Sequence, residues 1–311
     1  MYNFKKKIIN INNCYIMFVK KLISIYNKNE IYKLFFILFS HILKCNFNDI
    51  YYFFLIKKKI NIKKYNFLIK SINKLLYKFP IQYIIKYTYF LNTKIYLNKN
   101  IFIPRQETEE LVSYIINDKN NIKNNINKKL NIIDICTGSG CIAINIKKKL
   151  YNSNIYLLDY SNKILLKAKK NFYYNKIKCN NIKFIKFNIL NKKKKYNKLL
   201  KKLPFFDIII SNPPYISYKM YYKYINKNII YEPYKSIFVL YNDDIIFYKK
   251  IMFYFYKKKL NKNGILYFEI TKKIKKKINI FLKKKFINDY FFFKKDINNN
   301  YRILKIIKNK I

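Results

Sequence analysis

Residues 205–215 read Phe-Phe-Asp-Ile-Ile-Ile-Ser-Asn-Pro-Pro-Tyr, and this stretch decides the fold. Phe205 to Ile210 is an apolar run holding one acid, Asp207, the pattern of a buried strand. The run then meets Pro213 and Pro214. Neither proline can donate to a ladder, and each restricts the residue before it, so the strand ends there. Asn212 is thereby held just past the carboxyl end of a strand, where open parallel sheets place their ligands. Its side-chain amide offers one acceptor and two donors. The carbonyls of Asn212 and Pro213 are also released from the ladder. Such acceptors suit the grip of an NH2 group, and the plain alternative is a proline turn that closes a strand.

Upstream, the chain alternates strand and helix from residue 131 onward, which predicts an α/β fold with a doubly wound, mostly parallel sheet. Strands are expected at Asn131–Ile135, Ile155–Leu158, Ile182–Phe187, Phe205–Ile210 and Gly264–Ile270. Helices are expected at Cys141–Leu150, after Ser161, at about Asp244–Leu260 and at Lys272–Lys285. Tyr290–Lys294 and Arg302–Ile307 read as a closing hairpin that supplies one antiparallel edge strand. The sequence has only 3 glycines, against roughly 7% in average usage. Two of them lie in the turn Thr137-Gly138-Ser139-Gly140 after the first strand, which lets main chain approach a ligand. Asp159 ends the next strand, where a carboxylate can accept both hydroxyls of a ribose. A glycine turn and an acid so placed fit NAD or S-adenosyl-L-methionine, or a plain tight turn and a capping acid. The Asn-Pro-Pro-Tyr stretch separates the two cofactors. Hydride transfer has no use for an NH2 grip, whereas methyl transfer to a weakly nucleophilic amide or amine does. Tyr215 can cover the planar group.

Residues 1–88 read as a helical domain, with Leu34, Ile37, Leu38 and Leu43 at helical spacing. Tyr51–Ile56 is ambiguous between helix and strand. Residues 89–104 read as a hairpin connector, with strands Lys94–Leu97 and Ile101–Ile103 around a turn at Asn98-Lys99-Asn100. Residues 105–311 then form the catalytic domain. Arg105-Gln106-Glu107-Thr108-Glu109-Glu110 opens a helix, and its acids suit the positive end of the helix dipole.

Composition bounds the partners. The formal net charge of the 311-residue chain is +51. Lys, Asn, Ile, Tyr and Phe dominate throughout, and all have codons rich in A and T. A biased genome accounts for the charge without a binding function, and contact with nucleic acid or the ribosome is the alternative. The five cysteines include no Cys-x-x-Cys pair, which argues against a disulfide framework or zinc knuckle. The single histidine, His41, excludes histidine-built metal sites and Ser-His or Cys-His catalysis. Ile31–Leu43 is apolar but too short to span a bilayer. The expectation is a cytoplasmic monomer with no metal, no membrane contact and no need for direct nucleic-acid binding.

From about Pro80 to the carboxyl terminus the chain resembles the bacterial protein-(glutamine-N5) methyltransferases that act on peptide chain release factors. Pro80-Ile81-Gln82-Tyr83-Ile84 is similar to the family's Pro-x-Gln-Tyr-Ile. Pro104 to Glu109 matches its Pro-Arg-Pro-Glu-Thr-Glu signature except at Gln106. Ile132–Ile144 is similar to its cofactor loop, Asn212–Tyr215 match its substrate loop, and Glu232-Pro233 match its later Glu-Pro. The resemblance implies a Rossmann-like class I methyltransferase fold, S-adenosyl-L-methionine as cofactor, and S-adenosyl-L-homocysteine as product. The implied substrate is the glutamine of a release factor's Gly-Gly-Gln loop. It implies that Asn212 and Pro213 grip the glutamine amide, with Pro214 beside them and Tyr215 stacked near it. Arg105 and Glu107 would stand at the site entrance. Cys136, Thr137, Gly138, Ser139, Gly140, Asp159, Asn188, Ile189 and Asn212 would hold the cofactor. Four positions depart from the family: Cys136 where the first loop glycine is expected, Asn188 for an acid, Ile230 for an arginine, and Asp244 for a glycine. They bear on cofactor affinity more than on reaction type. Two other readings remain: a nucleic-acid amino methyltransferase acting on adenine N6 or guanine N2, and a degenerate basic binding protein.

Overall fold

Asparagine, so common in this chain, starts its amino-terminal helices. In the computed structural model, which describes residues 9–118, 129–218, 228–239, 241 and 243–309, helices run over Ile11–Leu22, Lys28–Leu43, Phe47–Leu55 and Ile62–Leu76. Asn10, Asn27, Asn46 and Asn61 precede them, and each side chain accepts from the main-chain N–H three residues on. Such a cap contributes about 1 kcal/mol. Glu30 and Asp49 return the bond to Asn27 and Asn46, closing two capping boxes. Tyr51–Leu55 is thus helical. Ile11, Phe18, Phe35, Phe39 and Leu68 are buried between the helices, and Phe35 stacks on Phe39 at 4.2 Å. With the short helix Ile81–Ile85 they make one compact unit, Met1–Lys86.

Tyr87–Ile311 is the second compact unit. It opens with a hairpin of β1 (Tyr87–Phe90) and β2 (Thr93–Tyr96), not the predicted pairing of residues 94–97 with 101–103. Leu91 and Asn92 both have left-handed φ, 46° and 58°, the geometry of a two-residue primed turn. Asn98-Lys99-Asn100 does turn, since Ile101 N donates to Asn98 O at 3.0 Å. Ile101 and Ile103 then bury their side chains without forming a strand.

The central sheet contains β3 (Leu130–Ile135), β4 (Ser153–Asp159), β5 (Ile182–Lys186), β6 (Phe206–Ser211), β9 (Leu260–Glu269), β10 (Tyr290–Lys295) and β11 (Tyr301–Ile307). Its order is β10-β11-β9-β6-β3-β4-β5. The chain enters at β3, steps outward through β4 and β5, then returns to β6 on the other side of β3. Ile132 therefore faces Ile155 on one flank and Ile208 on the other. This reversal opens a crevice at the carboxyl ends of β3 and β6. Asp207, the acid in β6, works at the opposite end, accepting from Asn131 N at 2.9 Å and Asn261 Nδ2 at 2.8 Å. The antiparallel strand is β11, and it lies one position in from the edge rather than at it. The hairpin doubles back, so β10 takes the outside.

The helices Gln106–Asn117, Cys141–Lys149, Asn162–Tyr174, Lys193–Lys201 and Lys272–Lys285 link or flank these strands. Lys193–Lys201 is helical and buries Tyr196 and Leu200. The segment after Asp244 is helical over Ile246–Ile251, then widens to a π turn over Met252–Tyr256. This brings Met252, Phe255 and Tyr256 into the core, and Tyr254 stacks on Tyr196 at 3.7 Å. Past Tyr215, β7 (Ile216–Ser217) pairs parallel with β8 (Phe238–Val239). The Asn/Lys-rich connection at 119–128 and residues 219–227 of the following loop lie outside the described residues.

Candidate active site

At the end of β3 the main chain turns sharply, and three residues take left-handed φ: Cys136 at 63°, Gly138 at 55° and Gly140 at 81°. Cys136 N and Thr137 N both donate to Leu158 O, at 2.9 and 3.2 Å, which anchors the turn on β4. Thr137 Oγ1 donates to Asp134 Oδ2 at 2.6 Å, and Gly138 N to Asp159 Oδ2 at 3.1 Å. The two glycines serve different ends. A Cβ on Gly140 would stand 3.2 Å from Ala168 Cβ, in the packing between turn and helix, whereas one on Gly138 would meet nothing within 4 Å. Burial pushes the Asp134 carboxyl up to about 7 against the pull of Thr137. It pushes Asp159 up to about 6 against the pull of the Gly138 N–H. Asp159 Oδ1 is buried and makes no hydrogen bond among the described residues.

Asn212 follows β6 across the crevice. Its Nδ2 donates to Glu269 Oε2 at 2.8 Å and to Thr108 Oγ1 at 3.1 Å, and Thr108 Oγ1 donates to the same Glu269 oxygen at 2.6 Å. Thr108 comes from the first turn of Gln106–Asn117, and Glu269 ends β9. Burial pushes the Glu269 carboxyl up to about 7, opposed by the Thr108 hydroxyl and Arg302.

Between turn and Asn212 lies a cavity of about 270 Å³. Cys136, Thr137, Gly138, Ser139, Asp159, Asn188, Ile189, Asn212 and Pro214 line it. Gly140, Pro213, Tyr215, Arg105 and Glu107 do not. Tyr215 is half-buried against the core, and burial pushes its hydroxyl up to about 12. Arg105 pairs with Glu232, and Glu107 lies 3.9 Å from Arg302. Among the described residues, no cluster of three or more His, Cys, Asp or Glu is placed to hold a metal ion, and no helix is long and apolar enough to cross a membrane.

The pattern of the family described as Methyltransferase small domain matches residues 119–237. The release factor glutamine methyltransferase of Flavobacterium psychrophilum is 42% identical over 229 residues, covering 73% of this chain and 75% of that protein. That of Lactococcus lactis subsp. lactis is 31% identical over 254 residues, covering 81% of this chain and 86% of its own. This chain belongs to the release factor glutamine methyltransferases. Of solved structures, the ribosomal protein L11 methylase of Lactobacillus delbrueckii subsp. bulgaricus aligns at 20% identity and TM-score 0.43, covering 68% of this chain and 82% of that one.

Within this glutamine methyltransferase, the four departures have distinct local consequences. Cys136 adopts the left-handed conformation for which a glycine is suited. Asn188 is exposed and accepts from Leu190 N at 2.9 Å, closing a local turn beside the cavity. Ile230 is exposed. Asp244 is buried, is not left-handed, and pairs with Lys273 and Lys277, which hold its carboxyl below its ordinary range despite burial. Reading the sequence singled out neither Glu269 nor Asp134. The available signal was an acid inside an apolar strand, Ile265–Ile270 and Ile132–Ile135, in a chain with only 15 acids.

Proposed function

We propose that this enzyme transfers a methyl group from S-adenosyl-L-methionine to the side-chain amide nitrogen of the glutamine in a release factor's Gly-Gly-Gln loop. The nitrogen exchanges one proton for the methyl group, and S-adenosyl-L-homocysteine is the other product. We place the reaction in the cytoplasm, with its substrate. The observation that carries the reading is the pairing, across one cavity, of the Gly138 turn and Asp159 with Asn212.

Two features of the cavity fit the cofactor. Asp159 Oδ1 is a buried acceptor lacking a partner among the described residues, as a ribose hydroxyl requires. Gly138 leaves space where any Cβ would stand. Thr137, Gly138, Ser139 and Asp159 would hold the adenosyl group, with Asn188 and Ile189 along the next wall. S-adenosyl-L-methionine, when bound, supplies a methyl group on a positively charged sulfur. Asn212 accepts a hydrogen bond from the substrate NH2 and aims the nitrogen at that group. The acceptor also stabilises positive charge that develops on nitrogen as the bond forms. Pro213 contributes its main-chain carbonyl and Pro214 walls the cavity, while Tyr215 packs against the core behind them.

The test is single-turnover methylation of a release factor, RNA and DNA by wild type and Asn212→Ala. Loss of one positioned transition-state contact costs about 10²–10³ in rate, so the variant should lose that much on the release factor. Asn212-dependent methylation of nucleic acid, with none of the release factor, would overturn the reading.

A further inference from the structure

Glu269 does not line the cavity, yet it is bonded to the residue that does the gripping. An amide nitrogen carries two hydrogens, and Asn212 Nδ2 has two acceptors, Glu269 Oε2 and Thr108 Oγ1. A threonine hydroxyl carries one hydrogen, which goes to Glu269. Thr108 can therefore only accept from Asn212. An ionised carboxylate also only accepts. Both neighbours thus require the nitrogen side of the Asn212 amide to face them. The oxygen side is left for the cavity. A protonated or amide side chain at position 269 removes this demand, because it donates as readily as it accepts. The reversed amide would then present its own N–H groups to a substrate N–H, donor against donor.

We propose that Glu269 and Thr108 are positioning residues that hold the Asn212 amide with its oxygen toward the cavity, and so select a substrate presenting an NH2 group. The proposal rests on the reading of Asn212 as the amide grip. The charged and titratable groups facing Glu269 come from several elements. Glu107 and Thr108 belong to Gln106–Asn117, Arg302 to β11, Tyr215 follows β6, and Cys141 opens the next helix. Tyr248 donates to the Glu269 main-chain oxygen at 3.0 Å. Burial and Glu107 oppose ionisation of Glu269, and Thr108, Arg302 and Asn212 favour it. The balance leaves the carboxyl at about 7, so the orienting form is gained as pH rises through neutrality.

The experiment compares wild type with Glu269→Gln, Thr108→Val and Thr108→Ser. It measures single-turnover methylation of a release factor between about pH 6 and pH 9, binding of S-adenosyl-L-homocysteine by calorimetry, and thermal melting. The wild-type rate should rise with pH and level off above about 7. Misplacing a reacting group by about 1 Å costs on the order of 10²-fold, so Glu269→Gln should be about 10- to 100-fold slower and lose the acid limb. Thr108→Val should be slowed similarly, and Thr108→Ser should retain most of the rate. Binding of the product should change little in all three. A Glu269→Gln enzyme with the wild-type rate, or with the acid limb intact, overturns the proposal. So does a decline in rate only in step with melting temperature and product affinity. If Glu269→Gln does not fold, the contrast between Thr108→Val and Thr108→Ser decides, provided that product affinity is unchanged, since Thr108 also lines the cavity. Asn212→Ala in the same assay separates the two readings. If it is slow while Glu269→Gln and Thr108→Val are not, only the positioning role fails. If it is as fast as wild type, the amide grip fails too.

Discussion

Arg105 and Glu232 meet in an ion pair in which the guanidinium donates to a carboxylate only 2% exposed. The other Glu232 oxygen accepts from Ile103 N at 3.2 Å, and the guanidinium lies 4.8 Å from the Phe102 ring centre. The pair joins the start of Gln106–Asn117, which carries Thr108, to the Glu232-Pro233 loop that carries Lys235 and Ser236 into the cavity wall. Burial raises the Glu232 carboxyl above its ordinary range, and Arg105 pulls it back.

Removing Arg105 strands that carboxylate with one main-chain donor. Breaking a fully buried pair costs about 3–5 kcal/mol. The Arg105 side chain is 37% exposed, and solvent screening reduces the expected cost to about 1–2 kcal/mol. Arg105→Ala should lower the urea midpoint accordingly, and adding Glu232→Gln should restore part of it. An unchanged midpoint in the single variant would show that the pair contributes nothing.

Cys136 holds a left-handed φ of 63° with a side chain. That conformation costs an L-residue roughly 1–2 kcal/mol, and glycine gives back about 0.4–1 kcal/mol in unfolded-chain entropy. Cys136→Gly should therefore be neutral or more stable by about 1 kcal/mol, and Cys136→Val clearly less stable because a β-branched residue tolerates positive φ worst. Denaturant unfolding of the three proteins measures this, and a Val variant as stable as wild type would contradict it.

Gly138 and Gly140 should separate cofactor binding from folding. At Gly140 any side chain meets Ala168 and Leu157 on a left-handed backbone. Gly140→Val should therefore lower stability by more than about 2 kcal/mol, combining overpacking with backbone strain. Gly138→Ala meets no neighbour, so it should cost only about 1 kcal/mol of backbone strain while weakening S-adenosyl-L-homocysteine in calorimetry. Equal effects of both changes on folding and binding would refute the division.

Asp134 makes the stability of the ligand-free protein pH-dependent. Its carboxyl is raised from an ordinary value of 3.8 to about 7 in the folded protein. The folded state then binds more protons than the unfolded chain between those values. Its contribution is full below about 4 and is lost as pH rises through about 7. Asp134→Asn keeps an acceptor for Thr137 but cannot ionise. Its melting temperature relative to wild type should rise between about pH 5 and about pH 8. A constant difference across that range would mean that Asp134 is ionised throughout.

Local chemistry made much of this legible from sequence. The helix Lys272–Lys285 forms with the expected bounds, capped by Thr271 and burying Ile274, Ile278 and Leu282. Pro213 and Pro214 marked the end of β6, and the glycine turn marked the end of β3, because a missing N–H or a required positive φ acts within one or two residues. The primed turn at Leu91-Asn92 was not legible. Hairpin turns of this kind are usually recognised by glycine, and this chain fills left-handed positions with Lys44, Lys57, Lys86, Asn92 and Asn263 instead.

By itself the sequence determined the strand order in time, the crevice-facing turns and the residue types at their tips. The tertiary structure alone decided that β11 slots between β9 and β10, since a hairpin pattern is the same whichever strand lies outside. It alone also brought Thr108, Asn212 and Glu269 together. Propensity and backbone sterics act among near neighbours, whereas Thr108 and Glu269 are 161 residues apart. A contact at that separation carries no local signature and exists only because the sheet closes with the ends of β6 and β9 side by side.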